Sequence, residues 1–269
     1  MKSPKNILIT GCSAGIGKAT AISLAEMGHN IIALNRKGEK TNRVFGELEK
    51  IGAGEKYLYS ADLSEQASLE SAIDTITQRH TVIDTLINNA GVFKTKETFS
   101  ADGTEITFAV NVRAPAILTK RIISHLEKSE DPIVIFLSSE IYKRAKINAN
   151  DIFNTRKYNS GTSYARSKMF INMLSESLSE NTERIRFYSI HPGVAATDVF
   201  RDYPKWFTIL LNVFISKPEK CAAPVVLAAI GDLNEKSGTY FMENKPRPVK
   251  KIPDYDRIKD RLYGWYRSL

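Results

Sequence analysis

Short apolar runs rich in β-branched residues recur along the chain, at Asn6–Thr10, Asn30–Asn35, Lys56–Ala61, Thr85–Asn88, Pro132–Leu137, Arg186–Ile190 and Gly238–Met242. Between most of them, apolar residues fall at helical spacing, as in Lys18–Met27, Leu69–Arg79 and Ala116–Leu126. Alternation of this kind predicts βαβ units: an α/β fold with a doubly wound parallel sheet of about seven strands and helices on both faces. The unbroken run Ile133–Leu137 is what a parallel strand buried on both sides looks like. Ligands of such sheets bind at the carboxyl ends of the strands, so chemistry is sought just after each run.

The 269 residues carry no low-complexity tract, repeat or Pro/Gly/Ser-rich linker. They are read as one domain over 1–269, with a first half to about 135 and a second from about 136 onward. Two cysteines, Cys12 and Cys221, make no disulfide framework, and a reducing, cytoplasmic setting is expected. The opening Met1–Lys5 runs straight into a strand, and neither a signal peptide nor a transmembrane helix is expected. The net charge of +8 is scattered rather than interleaved with aromatics, which argues against nucleic acid as a partner. Four histidines and two distant cysteines offer no metal-ligand spacing.

The first run ends in Thr10-Gly11-Cys12-Ser13-Ala14-Gly15-Ile16-Gly17, followed by a helical pattern. Gly11 permits a tight turn, while Gly15 and Gly17 let the backbone approach a pyrophosphate that the helix N-terminus attracts. A plain strand-to-helix turn would need one glycine, not three. After the second run stands Leu34-Asn35-Arg36-Lys37, with no acid before Glu39. An acid here would hold a ribose 2′-hydroxyl; an arginine suits a 2′-phosphate. NADP(H) is therefore the preferred cofactor, NAD(H) the alternative.

Further along come Asn88-Asn89-Ala90-Gly91, Ser138-Ser139, Tyr164-Ala165-Arg166-Ser167-Lys168 and His191-Pro192-Gly193-Val194-Ala195-Ala196-Thr197. With the first loop, this set resembles the short-chain dehydrogenase/reductase family across nearly the whole chain. The 25-residue step from Ser139 to Tyr164 and the stretch Ser163–Leu174 resemble its retinol-dehydrogenase-like branch, which favours NADP(H). Two positions depart from the family pattern: Ala114, often glycine, and Cys12 in the phosphate loop. Both bear on affinity rather than activity.

Tyr164 and Lys168 are four apart and so share one face of a helix. A free phenol, with a pKa of about 10, is a poor base at neutrality. An ammonium about 4 Å away is worth about 4 kcal/mol at an effective dielectric of 20, equivalent to roughly three pKa units. Tyr164 is thus the expected acid/base and Lys168 its activator, while Ser139 can hold the substrate oxygen. The resemblance implies further that Lys168 holds the nicotinamide ribose, Asn111 anchors a proton-relaying water, Thr197 holds the carboxamide, and Asp62 and Leu63 flank the adenine. It also places Gly11, Ser13, Gly15, Ile16, Gly17, Asn89, Ala90, Gly91, Pro192, Gly193 and Val194 on the cofactor. His191, beside Pro192, reads as structural.

The apolar segment Trp206–Ile215 is bounded by Lys205 and Lys217 and is too short to span a membrane. It reads either as a greasy lid, implying a hydrophobic carbonyl or alcohol substrate, or as a buried core or interface helix. A third reading is peripheral membrane contact through 206–216. A homodimer or homotetramer is expected by analogy alone. Three rival functions stand beside the oxidoreductase. A cofactor-binding scaffold without turnover is opposed by the retained Asn111, Ser139, Tyr164 and Lys168. A methyltransferase would lack the Tyr-x-x-x-Lys helix, and a sugar-nucleotide epimerase would carry a larger C-terminal region.

Overall fold

The structure is a computed structural model that describes residues 3–153, 158–193, 216–233 and 235–269. One eight-stranded sheet forms the centre. In chain order its strands are β1 Asn6–Thr10, β2 Asn30–Asn35, β3 Lys56–Ser60, β4 Thr85–Asn88, β5 Ile133–Leu137, β6 Arg186–His191, β7 Tyr240–Met242 and β8 Lys245–Arg247. Their spatial order is β3-β2-β1-β4-β5-β6-β7-β8, parallel except for the antiparallel β7–β8 pair. The chain order reverses beside β1, between the β1 and β4 carboxyl ends, which is where a doubly wound sheet leaves a binding crevice.

Among the described residues, three helices cover one face: α1 Gly15–Glu26, α2 Glu39–Leu48 and α6 Pro218–Ala229. Their Leu24, Val44 and Val225 pack on Ile7, Ile9, Ile135 and Phe241 of the strands. The other face carries α3 Gln66–Arg79, α4 Ala114–Leu126, α5 Ser160–Asn181 and α7 Tyr255–Ser268, which bury Leu8, Leu86, Phe136 and Phe187. Alternate residues of each strand feed opposite cores, so the central strands read as unbroken apolar runs.

The seven expected strands are present, with ends shifted by a residue or two. The run beginning at Gly238 enters the sheet only at Tyr240, because Gly238 is a turn residue at φ 87°. The eighth strand, Lys245-Pro246-Arg247, has no apolar signature because it is exposed at the edge, where a proline removes no needed donor. A π-helical stretch, Ala109–Arg113, leads into α4 and turns Asn111 inward. Ala114 is buried at the first position of α4. No described helix is long and apolar enough to cross a membrane.

Candidate active site

The crevice at the strand ends is a cleft of about 1210 Å³. Its first wall is the glycine loop. Gly11 has φ 71°, and a Cβ there would come within 2.9 Å of the Ala90 backbone. A Cβ on Gly17 would fall 2.3 Å from Asn89 Nδ2 and 2.4 Å from the Gly11 carbonyl oxygen. The loop is stitched to the turn after β4: Asn89 Nδ2 donates to the carbonyls of Thr10 and Gly11 at 2.8 and 3.0 Å, and Thr10 Oγ1 accepts from the Asn89 and Ala90 amides. Asn89 therefore spends its side-chain amide on shaping the loop. Thr10, which the sequence did not single out, is the other half of that clamp. Cys12 does not line the cleft. Its thiol is buried, accepts from Asn35 Nδ2 at 3.2 Å and is pushed up by burial to about 11.

The second wall is α5. Asn159 caps it, its Oδ1 accepting from the Thr162 amide at 2.9 Å, and this sets the first turns that carry Tyr164 and Lys168. Both line the cleft with Ser138 and Ser139 from the end of β5. Asn111 lies behind them. Its Oδ1 accepts from the Val92 amide at 2.8 Å, and its Nδ2 donates to the Val92 carbonyl at 2.9 Å and to Ser167 Oγ at 3.1 Å. It thereby ties the loop after β4 to the catalytic helix. Phe93 packs its ring on Tyr164 at a centroid distance of 4.8 Å, a contact with no motif in the sequence.

Burial dominates the electrostatics of this pair. Lys168 Nζ donates to the Leu137 carbonyl at 2.7 Å and sits 5.5 Å from the centre of the Tyr164 ring. Burial holds the ammonium down to about 8 and pushes the Tyr164 phenol above its ordinary value. A cation beside the ring favours the ionised phenol, and burial opposes it.

Of the residues expected at the cofactor, Gly11, Ser13, Ile16, Gly17, Arg36, Asp62, Leu63, Asn89, Ala90, Gly91, Tyr164, Lys168, Pro192 and Gly193 all line this one cleft. Gly15 begins α1 just behind the lining. Val194, Thr197 and the segment Trp206–Ile215 lie outside the described residues. Arg36, Lys37 and Lys40 are exposed at one end of the cleft, and Asp62 Oδ1 accepts from the Ser64 amide and hydroxyl at 2.9 and 2.7 Å. Phe93, Phe99, Ile106 and Ile141 give the cleft an apolar wall. His191 lines the floor, buried and with no partner for Nδ1 among the described residues. No group of three metal-ligating side chains occurs among the described residues.

The family model of the short chain dehydrogenase matches residues 5–207. This chain belongs to the short-chain dehydrogenase/reductase family. Human retinol dehydrogenase 13 is 31% identical over 97% of the chain and 82% of its own length, which puts this short-chain dehydrogenase/reductase in the retinol-dehydrogenase-like branch. Two solved structures share its fold: a short-chain dehydrogenase of Shigella flexneri complexed with NADP, at 20% identity, TM-score 0.72 and 90% and 98% coverage of the two chains, and 3-ketoacyl-(acyl-carrier-protein) reductase of Brucella melitensis complexed with NADH, at 20% identity, TM-score 0.69 and 90% and 98% coverage. The short-chain dehydrogenase/reductase is accordingly a nicotinamide-dependent oxidoreductase acting on CH–OH and C=O groups of small molecules. The cleft fits such a group. Its glycine wall is bare where a single Cβ would collide with backbone, and one end is basic.

Proposed function

We propose that this enzyme reduces hydrophobic aldehydes or ketones with NADP(H), using Tyr164 as the proton donor, Ser139 to hold the substrate oxygen and Lys168 to govern the charge of Tyr164. The observation that carries the reading is the placement of Ser139, Tyr164 and Lys168 together on one cleft, between a bare glycine wall and an apolar wall. A bound nicotinamide would supply the hydride. The chain supplies the rest. Gly11, Ser13, Ile16 and Gly17 would face the phosphates; Asp62 and Leu63 would face the adenine; Gly91, Lys168, Pro192 and Gly193 would face the nicotinamide end.

The preference for the phosphorylated cofactor rests on Arg36, Lys37 and Lys40 at the cleft mouth. The strand end that would carry a hydroxyl-binding acid holds Asn35, whose amide is turned to Cys12. The hydrophobic substrate rests on Phe93, Phe99, Ile106 and Ile141, with Phe99 strongly exposed on that wall. In the reductive direction Tyr164, protonated as a phenol ordinarily is at neutral pH, gives its proton to the substrate oxygen. A screen of short polar carbonyls, long-chain aldehydes, retinoids and steroids, each with NADPH and NADH, tests the cofactor and substrate points. Best turnover is expected with long apolar carbonyls and NADPH. Fastest turnover of short polar carbonyls, or an NADH preference, would overturn the reading.

A further inference from the structure

The hairpin that precedes the π-helical stretch carries a carboxylate that none of the chemistry above uses. Glu105 stands half-buried at the head of the short helix Ile106–Phe108. Its Oε1 accepts from the Thr107 amide at 2.8 Å and its Oε2 from the Phe108 amide at 3.0 Å, which caps that helix. A cap needs no more. Yet Oε2 also accepts from the Ser163 hydroxyl at 3.1 Å, 58 residues further along the chain. Ser163 is buried and immediately precedes Tyr164.

Glu105 is itself held in place. A bridge joins Phe99 to Glu105 across the hairpin, and the Ile106 amide donates to the Thr98 carbonyl at 3.0 Å. The buried Arg113 clips the hairpin tip. Its Nη1 donates to Asp102 Oδ2 at 2.7 Å and to Thr104 Oγ1 at 2.6 Å, while its Nη2 donates to the Ser64 carbonyl at 2.8 Å. A carboxylate that already holds two amides on a braced hairpin is a fixed point for its third partner.

Ser163 and Ser167 are one turn apart on α5 and share a face. Ser167 Oγ accepts from Asn111 Nδ2, so the segment from Glu105 to Asn111 grips α5 at two successive turns. The two serines immediately precede Tyr164 and Lys168, which line the cleft. Neighbouring helical residues point about 100° apart, so both ties act on the flank of α5, beside its cleft-facing side. Hydrophobic packing is non-directional and resists a roll of the helix weakly. A hydrogen bond is directional and fixes it.

We propose that Glu105 is a positioning residue for the reaction: through Ser163 it sets the roll of α5 and so aims Tyr164 at the substrate oxygen. The inference rests on the reading of Tyr164 as the proton donor. Glu105 lies outside the cleft lining and acts only through the helix.

Two substitutions cut the tie from opposite sides. Ser163→Ala removes the hydroxyl and leaves the cap and the hairpin. Glu105→Asp keeps a capping carboxylate but is one methylene too short to reach Ser163. With the best carbonyl of the screen above, each should lower kcat about tenfold, since a 1 Å misplacement can cost about 10²-fold. KM for the carbonyl and for NADPH, and the melting temperature, should stay near wild type. Because both cut one contact, the double variant should lose no more than either single one. Ser163→Thr, which keeps the hydroxyl, should restore kcat. Unchanged kcat in the folded single variants, additive losses, or a loss carried by KM or by the melting temperature would overturn the role of Glu105 and leave that of Tyr164 standing. If Glu105→Asp does not fold, Ser163→Ala and Ser163→Thr decide. Wild-type turnover in Tyr164→Phe overturns the reading of Tyr164, and this one with it.

Discussion

The two ends of the cleft are built on different principles. At the glycine end the surface is backbone. Its shape is fixed by main-chain geometry and by the Thr10–Asn89 clamp. At the catalytic end the surface is side chains whose charges depend on what surrounds them. Lys168 is turned to a carbonyl, and burial drives it and Tyr164 in opposite directions. Recognition rests on shape; chemistry rests on charge. Substitutions at the two ends should therefore fail differently, one in binding and the other in rate.

The largest effect is expected at the catalytic end. Tyr164→Phe keeps the ring against Phe93 and removes only the proton donor. Turnover should fall by about 10²–10⁴-fold while cofactor affinity, measured by calorimetry, stays near wild type. A large loss of affinity would mean that Tyr164 shapes the cleft rather than drives the reaction. Gly17→Ala is the opposite case. Its Cβ has no room between Asn89 and the Gly11 carbonyl, so the loop must shift. Cofactor affinity should drop at least tenfold, equivalent to about 1.4 kcal/mol, and the melting temperature should fall with it; wild-type affinity would show that the loop yields cheaply. Arg36→Ala should act on one cofactor only. A charge-assisted hydrogen bond is worth about 1.5–3 kcal/mol, so NADPH should weaken by about 10–100-fold and NADH hardly at all. Equal losses for the two cofactors would remove Arg36 from the 2′-phosphate.

The glycine end was more legible in the sequence than the catalytic end, for the same physical reason. Backbone shape is written locally: glycines at fixed spacing after a strand announce the loop, and the runs that feed the sheet announce the order of elements. Lys168 and Tyr164 were found because a helix puts residues four apart on one face. Their electrostatics were not, since these depend on distant partners: the Leu137 carbonyl, the Phe93 ring and the depth of burial. Sequence spacing put the ammonium near the phenol but gave no sign that it also donates to a strand end. Thr10 and Phe93 left no signal because a strand-end threonine and a loop phenylalanine are ordinary until the fold brings Asn89 and Tyr164 to them. The edge strand Lys245–Arg247 and the polar helix α7 likewise carry no apolar run to read.

A pair of pH profiles separates the two roles of Lys168. Its ammonium is held near 8, below the ordinary lysine value, because burial penalises the charge. Below pH 8 it is protonated in both the folded and the unfolded chain, and the folded state bears the penalty. Between pH 8 and about 10.4 the unfolded chain still binds the proton and the folded one does not, so this group's contribution to stability rises with pH. Activity should move the other way. If the ammonium is needed to favour the ionised Tyr164 after proton donation, reductive kcat/KM should fall to half its plateau at about pH 8. Melting curves of wild type and Lys168→Met, taken across the same range, isolate the group. The variant should be the more stable at pH 7, by up to about 3 kcal/mol, and its advantage should shrink as pH rises toward 10. A rate that stays flat through pH 8 while the stability gap closes would keep Lys168 as a buried strut and remove it from the proton chemistry.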